Sequence, residues 1–149
     1  MKSLFNPADN QEIIDRINKL TPETLPDWGK MNVAEMLAHA QQPMKVALGE
    51  LIIKPSVFGK FFGRFIKNGL LNDEPFKKGL PTAKEFLTPH HGKFEEEKNS
   101  LIALIQKFKN GGPDGISKDP HPFFGKMTGD EWDVFQWKHL DHHLRQFGV

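Results

Sequence analysis

The sequence contains no cysteine, no long apolar run and no excess of charge of either sign. Without cysteine there is no disulfide, no thiolate ligand and no cysteine nucleophile, so a bound metal must be held by histidine, aspartate or glutamate. Twenty basic residues against nineteen acidic ones give a net charge of +1, which argues against a general nucleic-acid-binding protein. No segment approaches the roughly 18 apolar residues of a membrane-spanning helix.

The N-terminal sequence MKSLFNPADN lacks the apolar core of a secretory signal peptide. Together with the absence of cysteine, this predicts a cytoplasmic protein. The 149 residues are expected to form one domain, residues 1–149, in which a single core buries about 68–70% of the unfolded surface.

Helical spacing of apolar residues predicts four long helices. Asn32 with Glu35, and Thr128 with Glu131, have the spacing of capping boxes, and Pro43 is expected to kink the second helix. No segment is rich in strand-forming residues, so we predict an all-α four-helix bundle with a shorter helical insertion between the second and third long helices. The predicted long helices are residues 8–20, 32–49, 92–110 and 128–147.

The predicted insertion is rich in phenylalanine, glycine and proline. Residues 56–68 have the pattern of an amphipathic helix, with Lys60, Arg64 and Lys67 opposite its phenylalanines. The favoured interpretation is a helix that covers the bundle with its lysines in water, and the alternative is a membrane-surface helix. His90 and His91 follow in a predicted loop, and we interpret them as solvated.

The last predicted helix has an inward stripe that mixes aromatic and polar residues. One side of it consists of Trp132, Phe135, Gln136, His139, His143 and Gln146, while Glu131, Lys138, Asp141 and Arg145 gather on the opposite side. We expect this helix to be buried over most of its circumference, with an ion pair between Asp141 and Arg145. The run Glu95–Glu97 at the start of the third helix is interpreted as solvated.

Two histidines four residues apart, His139 and His143, allow two interpretations. Each neutral ring can offer one nitrogen lone pair to the same divalent cation, which is how helical metal sites use this spacing. Alternatively, the two rings are separately hydrogen-bonded, one in the core and one at its rim. His39, on the second helix between two alanines, is by itself more typical of a core histidine than of a ligand.

The segments NVAEMLAH and HLDHHLRQ together resemble the DinB-like (DinB/YfiT-like) superfamily of metalloenzymes. The segment HPFFGKMTGDEW with the C-terminal KHLDHHLRQFGV is similar to a branch of that superfamily without an assigned activity. The resemblance implies a four-helix bundle with a three-histidine site for a divalent metal. Matched position by position, it implies that His39, His139 and His143 are the ligands and that His142 is not one.

The resemblance also implies metal-dependent chemistry on a small molecule, with bacillithiol- or mycothiol-dependent transferases among the relatives. A transferase using a low-molecular-weight thiol, or hydrolase-type chemistry, follows as an expectation, with zinc, nickel or iron as the metal. The alternative is a bundle that binds a metal, an apolar ligand or a membrane surface without turnover. A monomer and a homodimer both stay open, and the insertion at residues 54–78 does not match the thiol transferases.

Four further side chains are candidates for supporting roles in such a site. Gln136 and Gln146 share the stripe of the ligands and could orient a bound water or substrate. Glu35 lies one turn before His39 and could hold the second nitrogen of that ring. His121 could approach the open side of the metal or cap the final helix.

Overall fold

The computed structural model describes residues 1–54, 63, 67–72, 74–79, 86 and 92–149. These residues include four long α-helices and a short 3-10 turn at Pro113–Gly115. The only extended pairing among them is a single bridge between His121 and Gly125. The all-α prediction is therefore confirmed over the described part of the chain. In chain order the helices are α1 (Pro7–Asn18), α2 (Val33–Ala47), α3 (Phe94–Gly111) and α4 (Gly129–Gln146).

Side-chain caps determine where three of these helices begin. Asn6 accepts hydrogen bonds from the Ala8 and Asp9 backbone N–H groups at the start of α1. Both predicted capping boxes are present, Asn32 with Glu35 at α2 and Thr128 with Glu131 at α4. Each box satisfies two backbone N–H groups that have no partner inside the helix. The predicted boundaries therefore agree with the observed ones to within a few residues.

The helices enclose an apolar core. Helix α2 packs extensively against α3 and also contacts α4, while α1 contacts both α3 and α4. The largest side chains with almost no exposure come from all four helices and include Ile13, Met36, Phe108 and Trp132. Burial of such side chains is the main source of stability in a bundle of this size. None of the described helices is long and apolar enough to cross a membrane.

Helix α4 is buried over most of its circumference, as predicted. Lys138 and Asp141 are buried although they belong to its charged side. The Lys138 ammonium donates to the backbone carbonyls of Leu70 and Asn72. Asp141 pairs with Arg16 of α1 at 2.8 Å and with Arg145 at 3.0 Å, which confirms the predicted pair within the helix. Partners from distant segments compensate the cost of burying these charges.

The expectation for Glu95–Glu97 needs one correction. Glu95 and Glu96 are exposed, but Glu97 is half-buried and accepts a hydrogen bond of 2.6 Å from the Gln41 amide of α2. Gln41 also donates to the Glu97 carbonyl at 3.2 Å. Glu97 therefore joins α2 to α3, which its position in a charged run did not indicate.

Most of the predicted insertion helix lies outside the described residues, including Lys60 and Arg64, as do His90 and His91. Residues 67–70 are helical. The side chain of Lys67 is only 13% exposed and pairs with Glu131 at 2.7 Å. This lysine binds the first turn of α4, so the prediction that it lies in water was wrong.

Candidate metal centre

Three histidine side chains from two helices meet inside the bundle. They are His39 of α2 and His139 and His143 of α4, and their relative exposures are 6%, 9% and 6%. One nitrogen from each ring can be chosen so that all three lie within 4.8 Å of one another. The three imidazoles are therefore close enough to share one metal ion.

The rings face one another edge to face. The His39 ring lies 5.1 Å from that of His139 and 4.8 Å from that of His143, centroid to centroid. The rings of His139 and His143 are 4.7 Å apart at an angle of 81°. The other two interplanar angles are 62° and 78°, so the three rings meet edge to face rather than in a stack.

The orientation of His39 is set by a backbone carbonyl. Its Nδ1 lies 3.2 Å from the Phe86 carbonyl oxygen, and its Nε2 lies 3.2 Å from Nε2 of His139. Because a carbonyl only accepts, Nδ1 of His39 carries the proton and donates. The Nε2 lone pair of His39 therefore points toward His139.

His143 is held by a side chain of its own helix. Its Nδ1 lies 2.8 Å from Oε1 of Gln146, one turn later. The Gln146 amide in turn donates to the Trp28 carbonyl at 2.7 Å. The ring of His143 thus has a fixed hydrogen-bond partner at Nδ1.

His139 lacks such a partner. Its Nδ1 is buried and has no hydrogen bond within the described part of the molecule. The ring stacks on Phe135 at a centroid distance of 5.9 Å and an angle of 20°. Without a hydrogen bond at Nδ1, His139 is the least supported of the three by the described residues.

All three imidazoles are neutral at pH 7. Burial lowers the pKa of His139 well below 6.5, and the neighbouring His143 and His39 lower it further. The same causes, burial and then the charge of His39, lower the pKa of His143 to about 3. Burial also lowers the pKa of His39. Neutral rings keep the lone pairs that a metal requires.

The donor set fits a divalent cation. Two imidazole nitrogens bound to a tetrahedral zinc at about 2.0–2.1 Å are about 3.3 Å apart, and the Nε2 atoms of His39 and His139 are 3.2 Å apart. The Nδ1 atoms of His39 and His143 each have an oxygen partner, the Phe86 carbonyl and Gln146 Oε1. Metal-bound histidines usually have such a partner on the nitrogen that does not bind the metal. Because the group contains no carboxylate or thiolate, the charge of a bound ion would stay uncompensated by its protein ligands.

The structure contradicts the expectation for Glu35. Its carboxylate accepts from the Asn32 N–H at 2.8 Å and closes the capping box, while the Phe86 carbonyl takes the position at His39. Gln146 orients His143 rather than a substrate. The Gln136 amide donates to the Pro43 carbonyl at 2.8 Å, and its Oε1 is buried without a partner among the described residues.

His121 neither caps α4 nor joins the three imidazoles. It is 1% exposed, and its Nδ1 accepts from the backbone N–H groups of Phe123 and Phe124. Its ring stacks on that of Phe124 at 4.1 Å. Its role in these contacts is to hold the loop before α4 together.

His142 lies beside the three imidazoles, and its ring is 5.2 Å from that of His143, centroid to centroid. Its ring contacts those of Trp28 and Phe76 at 5.9 and 6.0 Å. It is not a member of the group that can hold one ion. Trp28 belongs to the segment between α1 and α2, which we call the connector, and Phe76 belongs to the insertion. Both segments therefore contact His142.

Two groups that support the site have no signal in the sequence. The carbonyls of Phe86 and Trp28 orient His39 and Gln146, and every residue type has such a carbonyl. The three-residue spacing from His143 to Gln146 was a usable signal, because residues at this spacing are neighbours on a helix surface.

The chain matches a known protein family, but that family has no assigned activity. Residues 3–148 match a family described as "Protein of unknown function (DUF1569)". No curated protein and no solved structure matched the chain. What the site does must therefore be inferred from its geometry.

Proposed function

The chain belongs to the DUF1569 family, and from its three converging imidazoles we propose that it binds one divalent cation for metal-dependent chemistry on a small molecule. His39, His139 and His143 are the proposed ligands. Zinc, nickel and iron all suit an imidazole set, so the ligands do not select the metal.

The observation that supports this proposal most is the 3.2 Å separation of the His39 and His139 Nε2 atoms. The Phe86 carbonyl fixes the proton of His39 on Nδ1. A cation at the centre lets both Nε2 lone pairs bind the same ion. It also explains why three imidazoles are buried together, at a cost in desolvation, inside an apolar core.

When bound, the ion would act as a Lewis acid that polarises a ligand in its remaining coordination positions. The protein's own groups would orient the ligand rings and cover them. The Phe86 carbonyl and Gln146 orient two of the rings, and Phe135 covers one face of the third. Burial excludes water from the ligands, which strengthens electrostatic interactions within the site.

The resemblance to DinB-like proteins supports a more specific reaction. A transferase that uses a low-molecular-weight thiol of the bacillithiol type fits an ion whose protein ligands carry no negative charge, because a thiolate would supply it. Hydrolase-type chemistry on a small molecule is the second reaction within the same proposal. Both use a single metal held by His39, His139 and His143.

The first test is metal analysis of protein purified without a histidine tag. We expect close to one equivalent of divalent metal in the wild type and a loss of it in His139→Ala. His142→Ala is the matched control, since it removes a neighbouring histidine of the same helix and should retain the metal. Absence of metal from wild-type protein, even after incubation with zinc, nickel or ferrous iron, would contradict the proposal.

The second test concerns turnover. Metal-loaded protein is incubated with a bacillithiol-type thiol and a panel of electrophiles, and conjugation is measured with and without a chelator. Metal-dependent conjugation supports the transferase. Stoichiometric metal without conjugation or hydrolysis would instead indicate a protein that binds metal without turnover.

A further inference from the structure

Gln146 connects one of the three imidazoles to the backbone of the connector before α2. Its Oε1 lies 2.8 Å from His143 Nδ1, and its Nε2 donates to the Trp28 carbonyl at 2.7 Å. The residue is only 4% exposed, so water does not compete strongly for either bond. Both ends of this one carboxamide are therefore used inside the protein.

The Trp28 carbonyl decides which way the carboxamide points. A carbonyl oxygen can only accept, so the amide end of Gln146 must face Trp28 and its oxygen must face His143. The oxygen in turn only accepts, so the proton of neutral His143 must be on Nδ1. This leaves Nε2 of His143 with its lone pair, as a metal ligand requires.

The connector is built closely around this carboxamide. The Asp27 N–H donates to the Gln146 backbone carbonyl at 2.7 Å. A Cβ atom added at Gly29 would overlap Nε2 of Gln146, and the φ of Gly29 is +87°, a conformation that other residues rarely adopt. Glycine at this position therefore leaves room for the amide in the orientation that His143 needs.

We infer that Gln146 is a positioning residue that fixes the tautomer and orientation of His143, and that the connector fixes Gln146. The inference rests on the proposed function for its effect on metal binding, but the tautomer of His143 is a property of the metal-free protein. Partners of this kind are known to change metal affinity by about 10- to 100-fold.

The experiment compares two substitutions at Gln146. Gln146→Met keeps a side chain of similar length but removes both polar ends. Gln146→Glu keeps an oxygen that can accept from His143. Gln41→Met is the matched control, since Gln41 is a buried glutamine that bonds to α3. For each protein, three quantities are measured: the ring-nitrogen NMR shifts of His143 without metal, the zinc affinity in competition with a chelator, and the stability to urea.

In wild type and Gln41→Met we expect the proton of His143 on Nδ1 and the same zinc affinity. In Gln146→Met the two tautomers should mix and zinc affinity should fall by about 10- to 100-fold. Gln146→Glu should keep the Nδ1–H tautomer, because one carboxylate oxygen accepts from His143, but it should lose stability, because the other oxygen faces the Trp28 carbonyl without a donor. The added methyl group of Gly29→Ala would overlap the Gln146 amide. This variant should therefore also bind zinc more weakly than the wild type.

Two results would overturn the inference. One is an unchanged His143 tautomer and zinc affinity in Gln146→Met, with only a loss of stability, which would make Gln146 merely structural. The other is a mixture of His143 tautomers in Gln146→Glu like that in Gln146→Met. If wild-type protein bound no zinc, the proposed function would fail, yet the tautomer measurement would still decide whether Gln146 positions His143.

Discussion

The Nε2 atoms of His39 and His139 lie 3.2 Å apart, although a hundred residues separate them in the chain. One belongs to α2 and the other to α4, so only the packing of the two helices brings them together. In the metal-free protein one of the two nitrogens must carry a proton. Because the Phe86 carbonyl holds the proton of His39 on Nδ1, that nitrogen is Nε2 of His139, and its Nδ1 then has a lone pair without a partner.

Zinc should stabilise the folded protein measurably. An ion that binds only the folded state adds about 2.7 kcal/mol to the free energy of unfolding at a free concentration 100 times its dissociation constant. We expect the melting temperature of wild-type protein to rise with zinc and to fall with a chelator. His39→Ala should show neither response, while His142→Ala should respond like the wild type. An equal zinc response in His39→Ala would contradict the assigned ligand set.

Replacing His139 by leucine should cost the metal-free protein less than the same change at His143. His139→Leu leaves Nε2 of His39 without a donor but also removes a buried Nδ1 that has no partner. His143→Leu leaves the Gln146 oxygen unpaired, and an unpaired buried acceptor costs about 1–3 kcal/mol. Urea denaturation of the metal-free proteins measures the difference. A larger loss in His139→Leu would mean that this ring has a partner in solution.

The metal-free protein should lose stability as the pH falls below about 6.5. Burial lowers the pKa of His121 and His143 to about 3 in the folded state. Between pH 6.5 and pH 3 the unfolded chain binds protons on these histidines that the folded protein does not bind. Acid therefore favours unfolding. Each such histidine contributes up to about 1.4 kcal/mol per pH unit.

His121 allows this pH dependence to be tested away from the three imidazoles. His121→Asn keeps an acceptor for the two backbone N–H groups that now bond to Nδ1 but cannot titrate. Urea denaturation of metal-free protein at several pH values between 6 and 4 should give a slope lower than that of the wild type by about 1.4 kcal/mol per pH unit. Identical slopes would show that His121 is protonated in the folded protein.

Breaking the ion pair between Arg16 and Asp141 should lower the free energy of unfolding far more than breaking the pair between Glu50 and Lys107. The side chains of Arg16 and Asp141 are 14% and 8% exposed, whereas those of Lys107 and Glu50 are 61% and 34% exposed. Asp141→Asn removes the carboxylate that pairs with Arg16 and leaves its guanidinium only the Val149 carbonyl, at a cost of about 3 kcal/mol. Glu50→Gln, the control, should cost less than about 1 kcal/mol. Equal losses in urea denaturation would contradict this ranking.

Local signals predicted the helices well because they act within a few residues. The capping boxes at Asn32 and Thr128 marked the starts of α2 and α4, and apolar spacing gave their buried faces. The same signals could not show how Lys138 and Asp141 are buried. Their partners include Asn72 of the insertion and Arg16 of α1, which are distant in sequence.

Less of the candidate site than of the fold could be predicted from the sequence. Helical spacing related His139 to His143, but no local pattern relates either to His39; that relation came from the resemblance to a family. Glu35 was a candidate partner of His39 because it lies one turn away, yet the competing capping interaction holds its carboxylate. The carbonyl of Phe86 could not have been predicted, since a backbone acceptor has no residue type.

X-ray absorption spectroscopy of the zinc-loaded protein tests most directly whether one ion binds all three imidazoles. The expected spectrum has three imidazole nitrogens at about 2.0–2.1 Å from zinc, with water or another small ligand in the remaining position or positions. His39→Ala should lose one imidazole from the spectrum or fail to retain zinc. A wild-type spectrum with two or fewer imidazoles would show that His39, His139 and His143 do not share one metal ion.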